Sequence, residues 1–369
     1  MSANWYEIEN VDEVASPALL FYPERIAANI ACVIEIAGGT DRLRPHIKTH
    51  KAGMIVIMHL AQGITKFKCA TIAEAELLAT HSAPDVLLAY QPVGPNVARV
   101  IELIRRFPET KFSVIADDEG AIKQLSRAVS AAGLSLDVLL DIDCGMHRTG
   151  VAPGPRAVEL YRLIATLPGL RVAGLHAYDG HIYDTDLRAR QTRCGEAFAP
   201  VNTLREQIVA AGLPFNVMVA GGTPTFPIHA QPPHAECSPG TYVLWDFGYA
   251  DMLPDLPFEL AALLLTRVVS KPGGNRLCLD LGHKAVAAEN PQPRVRFLNL
   301  PDTRPVMHSE EHLVVETEFA DRFTVGDCLY AVPKHICPTV ALYNEAVVVD
   351  QGQAVDRWVI GARARRLAV

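Results

Sequence analysis

The stretch Arg44-Pro-His-Ile-Lys-Thr-His-Lys51 gathers basic and imidazole side chains at the end of a short apolar run. Lys48 is the residue to explain. A residue at the C-terminal end of a strand, facing the mouth of an α/β barrel, stands where barrel enzymes keep their chemistry. A lysine desolvated there loses its charge and becomes a nucleophile able to form a Schiff base. A solvated surface cluster is the competing reading of this segment taken alone.

Four further segments carry reactive or binding groups. Ala220-Gly-Gly-Thr-Pro-Thr225 follows an apolar run. Its paired glycines let backbone N–H groups approach an anion, and its threonines add hydroxyls. Gly240-Thr-Tyr242 offers a second such set, and phosphate sites recur at the last strands of barrels. A tight turn needing positive φ would use the same glycines. Asp141-Ile-Asp-Cys-Gly-Met-His-Arg-Thr-Gly150 places His147 and Arg148 at a strand end. An arginine there can donate to a phenolate or carboxylate in fixed geometry, or pair structurally with Asp141 or Asp143. His176-Ala-Tyr-Asp-Gly-His-Ile-Tyr183 brings two tyrosines and two histidines to another strand end, enough for a ring-stacking face and a general base. Pro333-Lys-His-Ile-Cys-Pro-Thr339 reads as strand. Alternate strand positions share a face, so His335 and Cys337 could bind one metal ion. Imidazole with thiolate favours zinc; a buried cysteine beside a satisfied histidine is the alternative.

These groups need a scaffold, and the chain alternates strand and helix patterns. Strands are predicted at 17–22, 43–48, 65–70, 85–90, 111–116, 137–143, 172–178, 216–221 and 235–238, with helical patterns between most of them. Such alternation implies parallel strands with helical crossovers. Nine candidates exceed an eight-stranded barrel by one, so the first is expected to belong partly to another layer. After Phe247 the pattern turns to short β segments, with hairpin loops at Lys271-Pro-Gly-Gly-Asn275 and Asp350-Gln-Gly-Gln353. The expected fold is therefore α/β: a (β/α)8 TIM-type barrel over 13–247 and an all-β domain over 248–369, joined by residues 1–12.

Composition bounds the class. The 369 residues are 49% hydrophobic with a net charge of −7, which argues for a soluble chain and against a nucleic-acid surface. The apolar runs are too short to span a bilayer, and Met1–Glu7 has no secretory pattern. Eight scattered cysteines read as reduced thiols or a metal ligand. A cytoplasmic enzyme of small molecules is expected.

Taken in order, the motifs resemble the fold-type III pyridoxal-phosphate enzymes, and among them the D-threonine aldolase and D-serine dehydratase group. The marks are Arg-Pro-His-x-Lys at 44–48, Asp-x-Gly-Met-x-Arg-Thr-Gly at 143–150, Ala-Tyr-x-Gly at 177–180 and Gly-Gly-Thr at 221–223. Pro-Gly-Thr-Tyr at 239–242, Glu-Glu-His at 310–312 and His-x-Cys-Pro-Thr at 335–339 follow. The resemblance implies that Lys48 carries pyridoxal phosphate, that Arg148 meets its phenolic oxygen and that Tyr178 sits beside its ring. It implies phosphate contacts from Gly221, Gly222, Thr223, Gly240, Thr241 and Tyr242. It also implies a divalent metal, zinc or manganese, on His335 and Cys337, and a homodimer. His181 is the candidate base, although Asp184 holds the aldolase histidine's position without a gap.

The implied substrates are β-hydroxy-D-amino acids. D-threonine aldolase, splitting Cα–Cβ to glycine and an aldehyde, is the first reading, on the Leu279–Glu289 segment. A D-serine or D-threo-3-hydroxyaspartate dehydratase is the second, on the His-x-Cys pair. An amino-acid racemase is the third; it would need a second base and no metal.

Overall fold

A computed structural model describes residues 4–231 and 235–369. The chain forms two compact units. One comprises Val33–Lys48, Val56–Gly240 and Ala364–Val369; the other takes the residues up to Cys32, Thr49–Ile55 and Thr241–Arg363. Residues 1–3, expected with the β domain, lie outside the described residues.

In the first unit, seven short apolar strands pair in sequence order and all in parallel: Lys66–Cys69, Asp85–Leu88, Lys111–Ala116, Leu136–Ile142, Leu170–Ala177, Val217–Ala220 and Glu236–Cys237. Helices Ile72–Thr80, Pro95–Arg106, Glu119–Ala131, Pro155–Thr166 and Leu187–Ala210 connect most of them. Thr71, Asp118 and Asp186 cap three of these helices by accepting from the third residue onward, satisfying amides that a helix start leaves unpaired.

The eighth position is not a regular strand. Leu43 bridges Cys237 and His46 bridges Lys68, so the lysine segment stands between the last strand and the first. Arg44 and His46 donate to Cys237 and Pro239 on one side; on the other, Lys68 donates to Pro45 and Ile47 donates to Lys68. Pro45 has no N–H, which is one reason the ladder stays short. The ring closes by these four bonds, and Lys48 falls in the turn beyond them.

Charge and polarity are layered inside the ring. At the N-terminal rim, Arg44 pairs with Asp85 at 2.6 Å and with Glu236 at 2.7 Å, and Lys111 and Arg171 both pair with Asp137. Above it, Leu87, Ile115, Leu139, Ala173 and Val219 form one buried apolar layer drawn from five strands. Lys68, Asp141 and His176 stand further along their strands, toward the C-terminal ends where barrel chemistry is done.

In the second unit a mixed sheet runs in the order Arg304–His308, Leu313–Glu316, Arg276–Leu279, Ala262–Ser270, Ala18–Phe21, Glu345–Asp350, Gln353–Val359, with Val295–Phe297 and Cys328–Pro333 off this path. Ala18–Phe21 pairs parallel to Glu345–Asp350 and antiparallel to Ala262–Ser270, so the first strand does belong to another layer. Both expected hairpins form. Leu20, Leu263, Leu265, Tyr330 and Val347 lie in its core.

One expectation is corrected here. Two short helices, Phe247–Met252 and Ile336–Val340, interrupt the β unit. His335 and Cys337 therefore do not share a strand face. The strand ends at Pro333, and His335 is the cap residue of the short helix that contains Cys337. Proline at 338 suits an early helical position as well as it ends a strand.

Candidate active site

A cavity of about 670 Å³ opens where the barrel strands end, lined among others by Lys48, Lys68, Asp141, Arg148, His176 and Tyr178. Around the Tyr178 ring centroid, Lys48 Nζ stands at 5.9 Å, Lys68 Nζ at 5.4 Å and the Arg148 guanidinium carbon at 5.1 Å. Three cations converge on one aromatic ring, a set that attracts an anionic, planar ligand. Neither Asp143 nor Asp141 holds Arg148. Asp143 takes His147, whose side chain is 84% exposed, and Asp141 takes His176.

Lys68 was missed by sequence reading. It is 2% exposed, and burial, then repulsion from Lys48, lowers its pKa to about 7. Its Nζ lies 3.5 Å from His176 Nε2, and His176 Nδ1 lies 2.7 Å from Asp141 Oδ1. Burial holds the His176 imidazole below its ordinary value despite the Asp141 carboxylate. The available signal was parity: Lys66 and Lys68 alternate with buried Phe67 and Cys69, and alternate strand residues face one side.

Glycines fit the ring of Tyr178 closely. A Cβ on Gly180 would come 2.3 Å from Tyr178 Cε1, and one on Gly222 would come 3.1 Å from Tyr178 Cε2. Gly221 has φ +74°, the left-handed region that favours glycine. Gly222 N donates to Thr225 Oγ1 at 3.3 Å, Thr225 Oγ1 donates to Asp179 Oδ1 at 2.8 Å, and Gly240 N donates to Thr223 Oγ1 at 3.2 Å. The glycine loop thus stands against the same ring as the three cations, fixed from behind by Asp179. His229 Nε2 lies 2.8 Å from Asp179 Oδ2 and 3.4 Å from Cys194 Sγ. The ligand atoms of Asp179, Cys194 and His229 all lie within 4.8 Å of one another, a spacing that could hold a metal ion. Burial, then Asp179, pushes the Cys194 thiol up to about 12, which favours the protonated, hydrogen-bonded form.

His181 lies beside Gly145, outside the cavity lining, with Nδ1 buried and unpartnered among the described residues. Asp184 is bound to Arg193 at 2.8 Å. In the second unit, Thr241 and Tyr242 open a 3-10 turn, and the Tyr242 ring is buried 5.5 Å from the Phe258 centroid. Cys337 Sγ lies 3.1 Å from Thr49 Oγ1 and 3.5 Å from Thr241 Oγ1. His335 and Cys337 still meet by side-chain hydrogen bond. Burial alone would lower the imidazole, but the cysteine and then Glu289 lift it to about 9. Glu289 Oε1 lies 2.6 Å from His335 Nδ1. That contact fixes the orientation of the His335 ring. No disulfide forms among the described residues. No described helix is long and apolar enough to cross a membrane.

The chain matches two family models: "Alanine racemase, N-terminal domain" over residues 23–246 and "Putative serine dehydratase domain" over residues 261–349. It is 30% identical to the D-threonine aldolase of Arthrobacter sp., covering 95% of this chain and 93% of that protein. It is 24% identical to the D-threo-3-hydroxyaspartate dehydratase of Delftia sp. (strain HT23), over 93% of this chain and 96% of that one. The crystal structure of D-threonine aldolase from Filomicrobium marinum superposes with a TM-score of 0.88 at 28% identity, covering 95% of this chain and 96% of that one. The cation-lined barrel mouth and these matches agree: the chain is an enzyme of the fold-type III pyridoxal-phosphate family, in the branch of the D-threonine aldolases and serine-dehydratase-like lyases.

Proposed function

We propose that this chain is a D-threonine aldolase-type lyase, cleaving β-hydroxy-D-amino acids to glycine and an aldehyde. The observation that carries the reading is the set of Lys48, Lys68 and Arg148 around Tyr178 in one barrel-mouth cavity. The residues fit pyridoxal phosphate. Lys48 supplies the amine for its carbonyl, Arg148 a cation for its phenolic oxygen and Tyr178 a ring face. The tight seat of Gly222 on Tyr178 leaves backbone, not side chain, beside the ring. Gly221, Gly222, Thr223, Gly240, Thr241 and Tyr242 are assigned to the phosphate. When bound, the cofactor supplies an electron sink for the bond broken at Cα.

The barrel unit is the cofactor-binding part, and the unit that holds Thr241–Arg363 carries the metal ligands His335 and Cys337. A zinc or manganese ion held there would supply Lewis acidity toward the substrate hydroxyl. Glu289 fixes the His335 ring for that task. The working form is a cytoplasmic homodimer acting on small D-amino acids.

The dehydratase reading is kept by one observation, the cysteine at 337. Purified protein incubated with D-threonine and D-serine separates the readings by product. Glycine with acetaldehyde supports the aldolase; a keto acid with ammonia supports the dehydratase; L-isomers alone support the racemase. Borohydride reduction followed by peptide mapping should place the cofactor on the Lys48 peptide. Attachment at any other lysine would overturn the Lys48 assignment.

A further inference from the structure

The aldolase reading needs a group that takes a proton from the β-hydroxyl and returns one to Cα. His181, the candidate base, lies outside the cavity lining, whereas Lys68 is part of it. We propose that Lys68 is the acid–base residue of the reaction, positioned by His176 and Asp141; this rests on the lyase reading above.

Geometry comes first. Lys68 lines the cavity together with Lys48, yet its residue is 2% exposed, so its amine faces the site rather than bulk water. Behind it stands a fixed pair. His176 Nδ1 is 2.7 Å from Asp141 Oδ1, which makes Nδ1 the proton-bearing nitrogen and leaves Nε2 as acceptor, 3.5 Å from Lys68 Nζ. The carboxylate thereby sets the imidazole's tautomer, and the imidazole holds one of the three ammonium hydrogens. Asp141 Oδ2 is buried without a partner among the described residues.

Charges of both signs face Lys68. Lys48 and Arg44 on the closing segment disfavour its proton, as burial does; Asp141 and Asp179 favour it. His176 touches it, and Arg148 acts on His176. The balance leaves the amine near half-charged at neutral pH, where an acid–base group works in both directions.

The step balances. Neutral Lys68 Nζ takes the proton from the β-hydroxyl. The O–H pair becomes the second bond of the aldehyde carbonyl as the Cα–Cβ bond breaks. The ammonium returns the proton to Cα, where the released pair forms the new C–H bond of glycine. The proton lost by oxygen is the one gained by carbon, and Lys68 ends as it began.

The test uses Lys68→Met, Lys68→Arg and Asp141→Asn in the cofactor-loaded enzyme. Lys68→Met should keep the cofactor's absorbance and its borohydride attachment at Lys48, while kcat falls by about 100-fold or more, the usual range for a lost acid–base group. KM should move less than about threefold on the same ground. The fall of kcat/KM below pH about 7 in the parent should vanish. Lys68→Arg keeps the charge but cannot give up its proton, so it should be as slow as Lys68→Met. Recovery of a tenth or more of parent kcat by Lys68→Arg would show that charge alone suffices and overturn the proposal. So would Lys68→Met at near-parent kcat. Competitive acylation of the loaded enzyme across pH, read by mass spectrometry, is independent of turnover. Lys68 should titrate near 7, and Asp141→Asn should lower that midpoint. A midpoint near that of ordinary lysines would overturn the proposal even if Lys68→Met failed to fold. If the parent cleaves no β-hydroxy-D-amino acid but Lys68 titrates near 7, the lyase reading fails and the perturbed amine stands.

Discussion

Gly180 shows how one missing atom shapes the site. A Cβ there would come 2.3 Å from the Tyr178 ring, so Gly180→Ala must displace either the ring or the backbone. Overpacking of this kind costs about 1–3 kcal/mol. If the loss falls on the ring's contact with the cofactor, each ~1.4 kcal/mol weakens retention about tenfold. Equilibrium dialysis of cofactor from Gly180→Ala and parent enzyme measures this; equal retention would mean the ring is not a cofactor contact. Residues of this kind were partly legible. Arg148 and Tyr178 could be placed from strand ends, and glycine beside tyrosine was visible as a spacing. Lys68 was not, because a lysine on a four-residue strand ordinarily faces water, and only ring closure turns that face inward. Arg44 shows the reverse. It looked like part of a reactive basic cluster, yet Asp85 and Glu236 bind it at the far rim. A buried arginine between two carboxylates belongs to the scaffold.

At the scale of elements, the segment Ala364–Val369 returns to the barrel unit and is pinned there. Glu76, 3% exposed, accepts from Ala368 N at 3.0 Å and from Val369 N at 3.1 Å. Arg99 donates to the carbonyls of Arg365 and Val369. Hydrogen bonds to a charged group are worth about 1.5–3 kcal/mol each. Glu76→Ala should therefore speed amide exchange at Ala368 and Val369 by at least tenfold, read by mass spectrometry or NMR. Unchanged exchange would mean that Arg99 alone holds the segment. Nothing in the sequence marked this docking, since it joins residues far apart through one carboxylate. Helices and parallel strands were legible because periodicity survives locally. The helix at Ile336–Val340 was not: at five residues it is too short to show a period, and His-x-Cys reads equally well as strand alternation.

At the scale of the molecule, the proposed metal and cofactor roles are separable. A chelator strong enough to strip a divalent ion should abolish turnover and leave the cofactor's absorbance unchanged, because His335 and Cys337 are distinct from Lys48. Elemental analysis before and after confirms removal. Full turnover by metal-free protein would end the metal role and bring the racemase reading forward. Light scattering should give a mass twice that of the 40.2 kDa chain; a monomer at working concentration would exclude the proposed dimer.

The bridges that close the barrel also have a bearing on biosynthesis. Leu43 meets Cys237, so the lysine segment finds its second neighbour only after more than half of the chain has been made. Contacts between such distant positions form late, since the loop must close before the pairing is rewarded. A nascent chain lacking Glu236–Cys237 carries Lys48 on an unfinished edge, without the ring that buries Lys68 and seats Tyr178. Cofactor capture then serves as a report of completed folding: the ribosome must release the last strand before the yellow colour can appear.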